Sequence, residues 1–79
     1  MEKEILAILN EDAGSDIDWA SEKAIMDDEL IDSLDLVAIV SDLNEKYDIE
    51  ITVDDMTPEN FNSVAAMAKM ITRLMEQQN

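Results

Sequence analysis

The 79-residue chain has no cysteine and no histidine, one glycine, one proline, three aromatic residues, and only 5 Lys+Arg against 20 Asp+Glu. Without cysteine there is no disulfide framework, no thiolate nucleophile and no Cys-ligated zinc. Without histidine, the commonest general base near neutral pH and the commonest metal ligand are both missing. Any catalysis would rest on carboxylates. No apolar run approaches the ~18 residues of a membrane span, and the opening Met-Glu-Lys-Glu is not a secretory leader, so a cytoplasmic protein without membrane insertion is expected. The shortage of bases leaves a net charge of −15, which opposes unassisted binding to nucleic acid or an anionic membrane, both polyanions. A hydrophobic content of 47% separates the chain from acidic disordered tails. Its length allows one domain, residues 1–79, and a domain of this size buries only about 60% of the surface its unfolded chain exposes.

The charge is unevenly placed. Residues 1–62 hold 19 acids and 3 bases, a net of −16, whereas residues 63–79 hold Lys69, Arg73 and Glu76, a net of +1. Three segments carry helical periodicity. From Glu2 to about Glu11, Ile5, Leu6, Leu9 and Ala13 form one apolar stripe. From Leu34 to Tyr47, the stripe is Leu36, Ile39, Val40, Leu43 and Tyr47. From Ser63 to about Gln77, it is Val64, Met67, Ala68, Ile71, Leu74 and Met75. Thr57-Pro58-Glu59 places Pro at a favourable first helical position, which predicts a short turn or helix spanning Val53 to Phe61. Ile49-Glu50-Ile51-Thr52-Val53 alternates but has no partner strand. Residues 12–31 form a long connection whose apolar members, with Trp19 as an anchor, are expected to pack across the helices.

Asp32 and Ser33 stand where the second helix begins, and both are favoured cap residues. At 100° per residue, Leu34, Val37 and Ala38 point away from the core stripe, giving a small exposed apolar patch about one turn from Ser33. Asp35, Asp42 and Glu45 flank it. An apolar cluster rimmed by acid at a helix start suggests a docking surface for a partner that is basic where it touches.

The segment Asp32-Ser33-Leu34-Asp35-Leu36-Val37 resembles the phosphopantetheine attachment motif of acyl carrier proteins. The likeness extends through the buried face of Ile39, Leu43 and Tyr47, the exit Tyr47-Asp48-Ile49-Glu50-Ile51, a short third helix, and Ser63-Val64 opening the last. The resemblance implies an all-α, four-helix acyl-carrier-like bundle with three main helices, a short third helix and a long first loop. It implies that Ser33 accepts 4′-phosphopantetheine from coenzyme A and that Asp32 helps position it. It further implies that Leu34, Asp35, Val37, Ala38 and Asp42 form the face read by partner enzymes. Those partners would be a phosphopantetheinyl transferase, an acyl- or aminoacyl-loading ligase or synthase, and acceptor enzymes, with the carrier itself a monomer and not an enzyme. A phosphodiester on Ser33 would meet the free N–H groups and dipole of a helix N-terminus. The base, the metal and the reactive thiol all come from outside, in keeping with a chain that lacks His and Cys.

Some positions depart from the fatty-acid pattern. Leu30 stands where many fatty-acid carriers have Gly. Ile25-Met26-Asp27-Asp28-Glu29-Leu30-Ile31 is closer to D-alanyl and some peptidyl or polyketide carriers, which usually have Gly at the place of Glu29. Ala38, Ser41 and Asn44 take outward positions that fatty-acid carriers fill with Glu or Met, and Pro58-Glu59-Asn60-Phe61 also resembles the aminoacyl type. Rival readings carry less. A calcium loop starting at Asp16 would need Gly and Glu where Ser21 and Asp27 stand. A carboxylate-pair hydrolase would need a cleft that a chain this short has little room to build. An acidic adaptor or inhibitor of a basic protein shares the charge but gives no reason for Asp32-Ser33 beside an apolar patch.

Overall fold

A computed structural model describes residues 1–77 as four α-helices, α1 (Glu2–Ala13), α2 (Ser33–Tyr47), α3 (Pro58–Phe61) and α4 (Val64–Gln77), with no strand among the described residues. Single turns of 3₁₀ helix at Trp19–Ser21 and Val53–Asp55 interrupt the connections. The segment predicted as one turn or helix from Val53 to Phe61 is therefore two elements, parted by Met56 and Thr57. Pro58 at the first position of α3 explains the break, since its ring disfavours a helical residue before it.

Several helix ends have a local cause. Glu2 and Glu4 place negative charge on the first turn of α1, where the dipole favours it. Gly14 follows α1 with φ 109°, a left-handed conformation that side chains rarely adopt, and nothing lies within 4 Å of where a Cβ would stand. Conformation, not crowding, requires glycine here. The Gly14 carbonyl then accepts the Trp19 Nε1–H at 2.9 Å, so the indole is buried with its polar edge satisfied. α2 stops at Asp48, which turns left-handed at φ 53° and donates its N–H to the Asn44 carbonyl. Ser63 Oγ accepts the Ala66 N–H at 3.0 Å and caps α4.

The core joins Ile5, Ile8 and Leu9 of α1, Ile39, Val40 and Leu43 of α2, Phe61 of α3 and Val64, Met67, Met70 and Ile71 of α4. Trp19, Ile25, Ile31, Ile49 and Ile51 complete it from the connections. The long first loop is thus packed, as its apolar content implied. Leu6, Ala13, Leu36, Tyr47, Ala68 and Leu74 are half-buried at the margin. Two positions depart from the predicted stripes. Ile8 is buried because α1 packs on both α2 and α4, which widens its apolar face. Met70 is buried because α4 packs on α3 as well as α1, whereas Met75, two residues before the end of α4, is 40% exposed.

Polar contacts tie the start of α1 to the end of α2. The Tyr47 hydroxyl donates to Glu4 Oε1 at 2.8 Å, and Lys46 Nζ lies 3.7 Å from Glu4 Oε2. The Tyr47 hydrogen bond, then Lys46 and the N-terminal ammonium, hold the Glu4 carboxyl below its usual range, outweighing a desolvation effect of opposite sign. Burial, with Glu4 beside it, pushes the Tyr47 hydroxyl up to about 12.

Candidate functional site

Of the two residues expected to cap α2, Asp32 takes the cap and Ser33 becomes the first helical residue. Asp32 Oδ1 accepts the Asp35 N–H at 2.8 Å, and Asp35 Oδ2 accepts the Asp32 N–H at a longer 3.4 Å, closing a capping box. The cap therefore draws on Asp32 and Asp35 and leaves the Ser33 hydroxyl out of it. Ser33 is exposed. Among the described residues, no intramolecular acceptor meets the N–H of Ser33 or Leu34, which leaves two donors at the positive end of a 15-residue helix. An exposed primary hydroxyl beside two free amides suits an ester-linked anionic phosphate, and so fits a phosphopantetheine arm.

The surface next to Ser33 is apolar. Leu34 is 80% exposed and Val37 is 64% exposed, values that leave both side chains without cover from their own chain. Ala38 is half-buried behind them. The structure thus places Ser33, Leu34 and Val37 on one open face. Asp35 is half-buried and held in the capping box, so its charge flanks that face with restricted freedom. Asp42 is also half-buried and turns toward α1, lining a groove with Ile8, Glu11, Glu45 and Lys46. A second groove, between α3 and α4, is lined by Glu59, Asn60, Ser63, Ala66, Lys69, Met70 and Arg73. Ser33 lines neither groove.

Three polar residues gain roles that spacing did not reveal. Asn44, predicted to face outward, is half-buried. Its Oδ1 accepts the Ile51 N–H at 2.9 Å and its carbonyl accepts the Ile49 N–H at 3.1 Å, so it fixes the exit from α2 and is removed from the outward row containing Ala38 and Ser41. Asn inside a helix has weak propensity, and that was its only sequence signal. Asn62, between α3 and α4, bonds to the first loop 35 residues upstream; an Asn-Ser pair before a helix marks a turn but not a distant partner. Asp12, in the last turn of α1, has a buried Oδ2 without a hydrogen-bond partner. Burial first, then the adjacent Asp42 carboxylate, push the Asp12 carboxyl up to about 6, and Glu11 and Asp35 add to the effect.

Among the described residues, no cluster of three His, Cys, Asp or Glu side chains could hold a metal ion, and no helix is long and apolar enough to cross a membrane.

Comparison with known families agrees with this geometry. The family model described as phosphopantetheine attachment site matches residues 3–71, which include all of α2, the capping box and the packed first loop. No curated protein and no solved structure gives a significant match. Domains of this family are carriers served by phosphopantetheinyl transferases and acyl-handling enzymes. With an all-α bundle matched over most of its length, the chain belongs to the phosphopantetheine-attachment family, the acyl carrier proteins, whose cofactor is covalent 4′-phosphopantetheine.

Proposed function

We propose that Ser33 is the attachment residue and that the protein carries acyl or aminoacyl groups for partner enzymes. The observation that supports this most directly is the exposed Ser33 at the first position of α2, its hydroxyl spared from the cap by the Asp32–Asp35 box. When bound, phosphopantetheine supplies a terminal thiol that holds cargo as a thioester. The chain's own part is to hold and present. The Ser33 and Leu34 amides stabilise the phosphodiester, Asp32 fixes the first turn that orients Ser33, and the transferase supplies the base that takes the hydroxyl proton. The chain, residues 1–79 acting as one domain, is not itself an enzyme.

Leu34 and Val37 form the centre of the enzyme-reading face, with Asp35, Ala38 and Asp42 at its margin. Covering two exposed aliphatic side chains gives a partner about 1.5–3 kcal/mol each, and surrounding carboxylates steer a basic partner toward them. The partners are a phosphopantetheinyl transferase, a loading ligase or synthase and an acceptor enzyme, met by a monomeric carrier in the cytoplasm. The aminoacyl alternative is supported by resemblance: the Leu30-Ile31 approach to Asp32 and the small Ala38 and Ser41 on α2 are closer to D-alanyl and peptidyl carriers than to fatty-acid carriers.

Incubation with coenzyme A and a broad-range transferase, followed by intact-mass measurement, tests the assignment. The parent should gain one phosphopantetheine and Ser33→Ala none. An unchanged parent mass would sink the carrier reading in favour of an acidic adaptor that docks on a basic protein.

A further inference from the structure

One side chain far from Ser33 in sequence holds the approach to it. Asn62 Oδ1 accepts both the Met26 and the Asp27 N–H, each at 3.0 Å, while its Nδ2 donates to Asp27 Oδ2 at 2.9 Å. Its backbone carbonyl accepts the Ile25 N–H at 3.0 Å. The partners of all four bonds lie in one turn, which is closed by Asp28 N–H to Ala24 O at 2.7 Å and Leu30 N–H to Ile25 O at 2.9 Å. Glu29 within it is left-handed at φ 56°. No backbone acceptor meets Met26 or Asp27 N–H among the described residues, so Asn62 supplies what a helix or sheet would otherwise provide. The turn exposes Asp27, Asp28 and Glu29 and leads directly through Leu30 and Ile31 into Asp32 and Ser33.

We propose that Asn62 is a positioning residue for modification of Ser33: with Asp27 as its bonding partner, it fixes the turn at residues 24–30, and through it the Asp28 and Glu29 carboxylates a few residues upstream of Ser33, in the arrangement the transferase reads. This rests on Ser33 being the attachment residue. The physical basis is preorganisation. A turn held by three side-chain hydrogen bonds meets its partner already ordered, whereas a loosened one must be ordered on binding, which weakens association.

Exchanging the two side-chain partners tests the idea. N62D keeps an acceptor for both N–H groups but sets two carboxylates against each other; adding D27N restores one donor between them with reversed polarity. For the parent, N62D and N62D/D27N, transferase kinetics and amide hydrogen exchange are measured. N62D should speed exchange at Met26 and Asp27 and lower kcat/KM for loading about tenfold, mainly through KM, a change equal to ~1.4 kcal/mol. The double variant should return to within about twofold of the parent. Loading of N62D at the parent rate overturns the proposal, as does slow loading that D27N fails to rescue. If N62D alone does not fold, a folded double variant loading at the parent rate supports it and a folded, slow one overturns it. A parent that never loads refutes the Ser33 assignment instead, and is seen before any variant is compared.

Discussion

Replacing Asp12 with Asn tests the account of how this acidic bundle tolerates its charge. Asp12 lies at the carbonyl end of α1, where the helix dipole disfavours an anion. Its Oδ2 is buried without a donor, and burial together with Asp42 pushes the carboxyl from 3.8 up to about 6. The folded state thus holds this proton more tightly than the unfolded chain does. Below pH ~4 both states are protonated and the group has no effect on stability. Between pH ~4 and ~6 the unfolded chain gives up the proton first, so stability falls as pH rises, and above pH ~6 the loss is complete. A shift of about two pH units corresponds to at most ~3 kcal/mol; the carboxyl is only partly shielded from solvent, which reduces this to about 1 kcal/mol. Asp12→Asn removes the charge and leaves an amide that can donate to Asp42. At pH 7.5 it should raise Tm by about 4–8 °C, the usual response of a 60–100-residue domain to 1 kcal/mol. Trp19, the single tryptophan and a buried one, reports unfolding by fluorescence. The remaining carboxylates titrate in both proteins, so the informative quantity is the difference between the two Tm–pH curves from pH 4 to 8. That difference should shrink toward zero as pH falls below about 5. Parallel curves, or a lower Tm for Asp12→Asn at pH 7.5, would mean that the Asp12 charge does not destabilise the fold.

Two further outcomes are expected. Val37→Asp places a charge at the centre of the proposed docking face on a side chain 64% exposed, so Tm should change little while kcat/KM for loading falls about tenfold. Loading at the parent rate would move the face elsewhere, and Asp35→Lys is the less clean variant because Asp35 belongs to the capping box. With a net charge of −15 and ion pairs only at Glu4–Lys46, Arg73–Asp55 and the N-terminal ammonium among the described residues, added salt or divalent cations should raise Tm by screening like charges. A Tm that is unchanged or lower in salt would mean that the charge is already compensated.

The order and faces of the helices were legible because they depend on neighbours in the chain. The 3.6-residue recurrence of Ile39, Val40 and Leu43, and of Val64, Met67 and Ile71, marks a buried stripe whatever packs against it. Asp32 before Ser33 marks a cap, and the same angular arithmetic that buried Ile39 left Leu34 and Val37 outside. The site, as far as it consists of an exposed serine beside an apolar patch, was therefore open to sequence reasoning. How far each stripe extends was not, since Ile8 and Met70 are buried and Met75 is not according to which helices lie opposite. Nor was the difference between Asn44 and the outward-facing residues predicted beside it. Asn62 meeting Met26 and Asp27, and Asp12 meeting Asp42, join segments about 30 or more residues apart, with no periodicity to announce them. Residue order alone specified a bundle of short helices, acidic except for the last, with one serine at the start of the second. Which polar groups lose water and find partners emerged with the packing of distant segments, because desolvation depends on what folding brings alongside them.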